Sequence, residues 1–244
     1  MGIFLSNNIE KAKESFFDIL FPKFCVGCGR EGRYVCDNCS LFLAESLPSC
    51  PVCSKYSFGG EAHLSCQKEF SLKGLTSLWE YEGLAKHLIY QAKTKGNFHI
   101  FREAIEEFFK ALIADPKRFS PLLSFLDSQE VCISYVPLPK KKQKSRGFNQ
   151  AEVIAKETKR FLKIDTIPLL RKVRETKPQA GLDRKERIAN VRNSFQCEQY
   201  HREIKRVLLV DDFFSSGATL KECCRTLKDA GIKEVWGLTV AKIT

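Results

Sequence analysis

VLLVDDFFSSGAT, residues 207–219, is the stretch that decides the fold of this chain. Its first four residues are aliphatic, which predicts a strand buried on both faces of a parallel sheet. Two adjacent carboxylates follow, then small residues, then apolar positions at helical spacing that end near Gly231. Because ligands of open α/β sheets bind beyond the carboxyl ends of the strands, we expect Asp211 and Asp212 to lie at a ligand site.

The chemistry of this stretch suits a ribose phosphate. Ionised carboxylates only accept hydrogen bonds, so Asp211 and Asp212 fit the two hydroxyls of a ribose. A helix N-terminus binds phosphate through its free N–H groups. The predicted phosphate-binding residues are Ser215, Ser216, Gly217, Ala218 and Thr219. The alternative is an ordinary strand–turn–helix in which the acid pair only caps the helix. The stretch resembles the binding motif for phosphoribosyl pyrophosphate (PRPP) in type I phosphoribosyltransferases.

Charge and hydropathy narrow the function classes. The 244 residues carry a net charge of +11, from 40 basic and 29 acidic side chains, which favours anionic partners such as nucleotides, nucleic acid or phosphosugars. The sequence has no apolar run long enough to cross a membrane and no apolar signal core, so we expect a cytoplasmic protein. Residues 1–20 predict an amphipathic helix that docks on the body, with contact to the inner face of the membrane as the alternative.

Seven of the eleven cysteines lie between residues 25 and 66, and together with one histidine they predict two zinc sites. Cysteines in a reducing compartment that come as Cys-x2-Cys pairs indicate metal ligands rather than disulfides. Eight ligands in four pairs are enough for two tetrahedral structural sites. We assign Cys25, Cys28, Cys36 and Cys39 to one site, and Cys50, Cys53, His63 and Cys66 to the other.

Two alternatives to this assignment stay open on spacing alone. The pairs can interleave, first with third and second with fourth. His63 can also be a surface histidine beside a three-cysteine or single-zinc segment. In either case a segment of about 45 residues buries too little apolar surface to fold unaided, so metal is expected to stabilise it.

The rest of the chain alternates between strand-like and helical patterns, which predicts an α/β fold with a parallel sheet covered by helices. The predicted strands span residues 75–81, 131–136, 207–210 and 235–240. The predicted helices span residues 84–93, 101–114, 151–162 and 219–230. The segment 171–195, rich in charge, is predicted to be the least structured.

Three further blocks narrow the resemblance. They are VPLP at 136–139, RGFNQ at 146–150, and TKPQ at 176–179 with Arg187 and Asn190 further on. Together with the paired cysteines and the PRPP-like motif, they resemble the ComF competence family, in particular its ComFC-type members, over roughly residues 20–244. The resemblance implies a zinc-binding domain at 21–70 followed by a type I phosphoribosyltransferase-like domain at 71–244.

The resemblance also implies a function and a site. The family serves natural transformation, where it handles incoming single-stranded DNA in the cytoplasm, so PRPP, single-stranded DNA and other DNA-uptake proteins are the expected partners. The loop after Pro139, with Arg146 and Gln150, corresponds to the pyrophosphate-binding loop, and 171–192 to the flexible loop. Magnesium is expected to arrive with PRPP, held mostly by the ligand's oxygens and waters.

The chain departs from the transferase pattern at one important position. Purine-salvage transferases carry an acidic general base where Ser215 stands here, and no other residue is identified as a base. Phe213 and Phe214 are bulkier than usual and either restrict a base or stack on it. PRPP binding is therefore better supported than turnover, and the alternatives are a non-catalytic DNA-binding module or a nucleotide-salvage phosphoribosyltransferase.

Positive charge is concentrated in two segments. Residues 140–146 carry five basic and no acidic side chains, and residues 171–192 carry eight basic and three acidic ones, so these 29 residues account for +10 of the net +11. Pyrophosphate needs only a few of these groups, which indicates a polyanion whose binding is salt-sensitive. The predicted DNA-binding residues are Lys140, Lys141, Lys142, Lys144, Arg171, Lys172 and Arg174. Phe148 offers either a stacking face or a buried anchor, and the plain alternative for both segments is a solvated loop.

Overall fold

The computed structural model describes residues 22–177, 181–199 and 203–243. The amphipathic helix predicted at 1–20 lies outside these residues. The described chain belongs to two compact units, one that ends at Leu43 and one that begins at Ala44. The first predicted zinc cluster therefore lies in the smaller unit, whereas the second belongs to the same unit as the sheet.

A four-stranded parallel sheet forms the centre of the larger unit, which confirms the predicted α/β fold. The described strands are Gly74–Glu80 (β1), Val131–Tyr135 (β2), Leu170–Lys172 (β3), Phe195–Cys197 (β4), Arg206–Phe214 (β5) and Glu234–Lys242 (β6). The sheet order is β1-β6-β5-β2, with every neighbouring pair parallel. β3 and β4 form a separate antiparallel pair.

The described helices are Asp37–Ser40 (α1), Gly83–Thr94 (α2), His99–Ala114 (α3), Ser120–Leu126 (α4), Lys140–Arg146 (α5), Gln150–Leu162 (α6), Arg184–Val191 (α7) and Ala218–Asp229 (α8). Every strand and helix predicted for the sheet region is present, although the ends differ by up to four residues. The largest difference is in β5, predicted to end at 210. Its partner β6 continues alongside it, so Asp211 pairs with Thr239 and Phe213 with Ala241.

The core explains why the central parts of the two middle strands are apolar. Residues 207–210 are all buried, as is Trp236 on β6. The indole Nε1 of Trp236 donates a hydrogen bond of 3.0 Å to the hydroxyl of Thr76, which satisfies its buried donor. A Cβ at Gly74 would lie 2.4 Å from the Trp236 ring, so only glycine fits beside it.

Two segments are more regular than their sequences predicted. Residues 140–146, predicted to be a loop, form α5, which begins after Pro139 and ends at Gly147 in the left-handed conformation. The segment 171–195 contains β3, α7 and the start of β4. A capping box between Asp183 and Glu186 starts α7. Composition missed both segments because charged, straight-chain residues favour helices as readily as solvated loops.

Residues 44–70 pack against the first strand through backbone hydrogen bonds. The N–H of Ser46 donates to the carbonyl of Leu78 at 2.9 Å, and the N–H of Ala62 donates to that of Lys73 at 2.8 Å. Gly60 approaches so closely that a Cβ would lie 2.0 Å from the carbonyl oxygen of Leu75. The second cysteine cluster is thus joined directly to the sheet.

Candidate functional site

The carboxyl end of β5 carries the two aspartates that the sequence singled out. Both side chains lie in a cleft of about 230 Å³ at the edge of the sheet. The Asp211 carboxylate accepts a hydrogen bond of 2.9 Å from the N–H of Asp212. Burial and the neighbouring Asp212 charge raise the pKa of Asp211 to about 8.

The predicted phosphate-binding loop leads into α8 through a left-handed residue. Gly217 has φ of 70° and is the N-cap of the helix. The first residues of α8, Ala218 and Thr219, line the cleft. A Cβ at Gly217 would lie 2.6 Å from the ring of Phe214, which is buried beneath it. The loop conformation therefore requires glycine for two separate reasons.

The cleft brings together most of the predicted binding residues. Its walls include both aspartates, the loop, the pyrophosphate-loop residues and two of the predicted DNA-binding lysines. The predicted residues that line it are Asp211, Asp212, Ser215, Gly217, Ala218, Thr219, Arg146, Gln150, Lys142 and Lys172. Ser216 instead lines an adjoining cavity of about 410 Å³, together with Ser54, Asp183 and Arg187.

Lys93, which is outside every predicted site motif, also lies in the cleft. Its ammonium is 2.6 Å from a carboxylate oxygen of Asp212 and 5.8 Å from the ring centre of Phe213. Burial opposes the charged form of Lys93, but Asp212 and Asp211 outweigh it and raise the lysine's pKa. A helical pattern could have indicated this residue, because Lys93 follows the buried Ile89 by four positions and so lies on the inner face of α2.

Gln150 presents a donor that the protein does not satisfy. Its side chain is 2% exposed, its Oε1 accepts a hydrogen bond of 3.3 Å from Arg146, and its Nε2 is buried without a hydrogen-bond partner. The neighbouring Asn149 fixes the loop, since its amide donates to the carbonyl of Val136 at 3.0 Å and its Oδ1 accepts from the N–H of Ala151. A buried donor without a partner is costly unless a ligand oxygen accepts from it.

The predicted DNA-binding residues fall into two groups. On α5, Lys141, Lys142 and Lys144 are exposed; the side chain of Lys140 lies outside the described part of the chain. The second group, around β3, has partners within the protein: Arg171 forms an ion pair of 2.8 Å with Glu198, and Arg174 donates to the carbonyl oxygens of Asn190 and Arg192. Arg174 thus closes the end of α7 rather than standing free for a ligand.

The aromatic residues near the cleft are engaged with one another. Phe213 packs against Tyr81 with ring centres 4.2 Å apart, and Phe148 meets Phe98 edge-on at 6.0 Å. Phe148 is half-buried: it packs on Phe98, and part of its side chain stays exposed to solvent. Phe214 is buried under Gly217, and both Phe213 and Phe214 contribute to the lining of the cleft.

The cysteine clusters assemble in the sequential pairing that the sequence favoured. Cys25, Cys28, Cys36 and Cys39 form one group and Cys50, Cys53, His63 and Cys66 the other. The ligand atoms within each group lie within 4.8 Å of one another. Each group is therefore positioned to bind a metal ion, and the interleaved alternative is wrong.

The two clusters share one local geometry. In the first, the N–H of Cys25 donates to the carbonyl of Arg30 and that of Gly29 to the carbonyl of Cys25; in the second, Cys50 and Ser54 repeat both bonds. Gly29 and Ser54 have φ of 74° and 64°, so both turns close through a left-handed residue. Burial opposes ionisation of Cys25, but backbone N–H groups lower its pKa to about 6, which suits a thiolate ligand.

His63 is oriented as a ligand of the second cluster. Its Nδ1 lies 3.4 Å from the sulfur of Cys53 and 4.0 Å from that of Cys66. Its Nε2 is 3.0 Å from the carbonyl oxygen of Tyr56, which can accept the ring N–H and fix the ring. Such an outer hydrogen bond is usual for a metal-binding histidine.

Comparison with known proteins gives matches along most of the chain. Competence protein F of Haemophilus influenzae is 30% identical over 214 residues, which cover 85% of this chain and 90% of that protein. Competence protein ComFC of Streptococcus pneumoniae is 29% identical over 225 residues, 86% and 96% of the two chains. DNA utilization protein YhgH of Escherichia coli strain K12 is 25% identical over 211 residues, 84% and 89%. No protein-family model matches the chain. In the described part of the chain, every helix is too short or too polar to cross a membrane.

Proposed function

Because the chain belongs to the ComF family of competence proteins, we propose that it takes part in natural transformation as a PRPP-binding protein that handles incoming single-stranded DNA. The related YhgH proteins are named for DNA utilization, which agrees with a role in handling DNA. Enzymatic turnover is not required for this role.

The observation that carries the proposal is the composition of the cleft at the end of β5. Two carboxylates for a diol, the N-terminus of α8 for a phosphate, and Gln150, whose Nε2 has no hydrogen-bond partner, all line one cleft. Five basic side chains line that space, namely Lys93, Lys142, Arg146, Lys172 and Lys177. PRPP combines a diol, a 5′-phosphate and a pyrophosphate, and so provides a partner for each of these groups. Its magnesium ion would be held by ligand oxygens and waters.

The DNA-handling part of the proposal is supported by α5. Its exposed Lys141 and Lys144 lie outside the walls of the cleft, whereas Lys142 contributes to them. A lysine-rich helix beside an anion-binding cleft is suited to the phosphates of a nucleic-acid backbone. DNA sugars lack the 2′-hydroxyl, so the aspartate pair would not be satisfied by a DNA strand, and the strand is expected to pass along α5.

The acidic side chains of the cleft favour binding over purine transfer. Among the described residues that line it, Asp211 and Asp212 are the only acidic ones, and both are occupied with the proposed ribose. We therefore rank a PRPP-binding, DNA-handling protein above a nucleotide-salvage phosphoribosyltransferase.

The cysteine clusters are proposed to bind structural zinc. Four sulfur ligands, or three with one imidazole, are donor sets that tetrahedral zinc prefers, and neither group includes an acidic ligand among the described residues. Two zinc ions per chain, measured by elemental analysis, is the expected content.

Calorimetry with PRPP and magnesium tests the central claim. Wild type is expected to bind, and Asp211→Asn with Asp212→Asn is expected to abolish binding because each charged carboxylate is replaced by a neutral amide that places a donor where a ribose hydroxyl also donates. Asp127→Asn, an exposed aspartate before β2, is the matched control. The proposal fails if wild type does not bind PRPP, or if the double variant binds it as well as wild type.

A further inference from the structure

We propose that Lys93 is a positioning residue for ribose recognition, which holds Asp212 as a charged carboxylate oriented so that it accepts a sugar hydroxyl at neutral pH. This inference rests on the proposed function, since it concerns the same cleft. It assigns a role to a residue outside every motif that defined the site.

The contact between Lys93 and Asp212 is direct and sheltered. Their charged atoms are 2.6 Å apart, and the two side chains are 25% and 15% exposed. Such an ion pair is weakly screened by solvent compared with one on the surface. The helix holds the lysine in place, because Ala85, Leu88, Ile89 and Ala92 bury the inner face of α2.

The aspartate pair needs a cation because adjacent carboxylates in a desolvated site oppose each other's ionisation. Burial and Asp212 already raise the pKa of Asp211 to about 8. A protonated carboxyl uses one oxygen as a donor, whereas a carboxylate accepts through both oxygens and more strongly, so a charged member of the pair binds the diol better.

Other groups that face the pair cannot replace Lys93. They are Tyr81 after β1, Lys172 on β3 and Cys223 on α8. Burial lowers the pKa of Lys172, whose ammonium donates to Thr176 at 3.0 Å and lies 5.1 Å from the ring centre of Phe195. Burial raises the pKa of Cys223 well above its usual value, so its thiol is neutral and offers no positive charge. Lys93 forms an ion pair with Asp212, whereas Tyr81, Lys172 and Cys223 form none with either aspartate.

The test compares Lys93→Met, Lys93→Arg and wild type for binding of ribose 5-phosphate without magnesium, by calorimetry over a series of pH values. Lys93→Met should bind about tenfold more weakly at neutral pH, corresponding to a shift of about one pKa unit in the pair. The deficit should disappear at alkaline pH, where the pair ionises without help. Lys93→Arg should restore most of the affinity. Lys86→Met, which removes an exposed lysine from the same helix, should match wild type.

Three results would overturn the inference: an unchanged pH profile in Lys93→Met, a deficit that is equal at every pH, or tighter binding at neutral pH. The last would make Lys93 a competitor for Asp212. If wild type binds neither ribose 5-phosphate nor PRPP, the proposed function fails. A carbon NMR titration of the aspartate carboxyls without ligand still decides the role of Lys93, because an unchanged titration in Lys93→Met would refute it.

Discussion

The ammonium of Lys242, at the end of β6, donates a hydrogen bond of 2.7 Å to the hydroxyl of Ser49, the residue before the cluster cysteine Cys50. It also donates to the carbonyl oxygen of Leu47. Lys242 is 3% exposed, and burial lowers its pKa. The second cysteine cluster is therefore attached through buried polar contacts to the strand that neighbours β5.

Loss of metal from the second cluster should destabilise the sheet. We expect Cys66→Ser to lower the free energy of unfolding of the larger unit by about 2–4 kcal/mol, because losing a structural metal is among the costliest single changes. Both tryptophans of the chain, Trp79 and Trp236, lie in the sheet, so denaturant unfolding followed by tryptophan fluorescence reports on it. Cys39→Ser, in the smaller unit, should leave this transition in place. Equal losses in the two variants would contradict the prediction.

Gly217→Ala should damage both stability and phosphate binding. The added Cβ meets the Phe214 ring at 2.6 Å and forces a left-handed conformation on alanine, with a combined cost of about 2 kcal/mol. Gly96→Ala is the matched control, because Gly96 has φ of 67° with no neighbour within 4 Å of its Cβ position. Thermal unfolding measures the loss of stability in each variant. Both alanines adopt the left-handed conformation, but only the one at 217 meets a ring, so a smaller loss in Gly96→Ala than in Gly217→Ala gives the cost of the clash. Equal losses would mean that the Phe214 contact is relieved without cost.

Gln150→Leu should separate binding from stability. The substitution removes a buried donor that has no protein partner, so the free energy of unfolding should stay within about 1 kcal/mol of wild type. PRPP affinity should fall about tenfold, since one hydrogen bond to a charged oxygen is lost. Gln143→Leu, an exposed position on α5, controls for the change in composition. Unaltered PRPP affinity in calorimetry would show that the donor of Gln150 faces no ligand.

Replacement of the exposed lysines of α5 should weaken DNA binding and leave PRPP binding unchanged. Replacing Lys141 and Lys144 by Ser is expected to weaken single-stranded DNA binding and flatten its salt dependence, because fewer counterions are released. PRPP binding should persist, since Lys141 and Lys144 do not line the cleft. Lys117→Ser with Lys233→Ser removes exposed charge elsewhere as a control. Fluorescence anisotropy over a salt series gives the slope, and a slope equal to that of wild type would remove α5 from the DNA surface.

The unliganded protein should lose stability as pH rises. The folded pKa of Asp211 is about 8, above its ordinary value of 3.8, so the folded state holds a proton that the unfolded state has released. Its stabilising contribution is complete below the unfolded pKa and is lost as pH rises through the folded pKa. Asp211→Asn should flatten this dependence, whereas Asp127→Asn should not. Urea unfolding over a pH series checks the slope, and an identical slope in Asp211→Asn would rule out Asp211 as its source.

The strand β5 shows which structural features a local sequence pattern can predict. The apolar run, the acid pair and the small-residue loop predicted the order of β5, loop and α8 correctly. The end of β5 was wrong by four residues, because β6 supplies hydrogen-bond partners as far as Phe214. Aspartate is depleted in strands, which favours an end before Asp211, but the pairing of β5 with β6 overrides this preference.

Charge alone did not distinguish binding residues from structural ones. Arg174 and Lys141 look alike in sequence, yet Arg174 is bound to carbonyl oxygens at the end of α7 and Lys141 is exposed. Which basic side chain is free depends on which carbonyl and carboxylate groups the fold brings within reach, and composition does not contain that information.

The sequence by itself determined the α/β architecture and the two groups of residues that could each hold a metal ion, because these follow from periodicity and from spacing within short segments. Only the tertiary structure decided that Lys93 reaches Asp212 and that Lys242 joins the second cluster to the sheet. Those contacts join residues 119 and 193 positions apart. Such pairs form when distant segments pack at one edge of a sheet, and no local pattern encodes them.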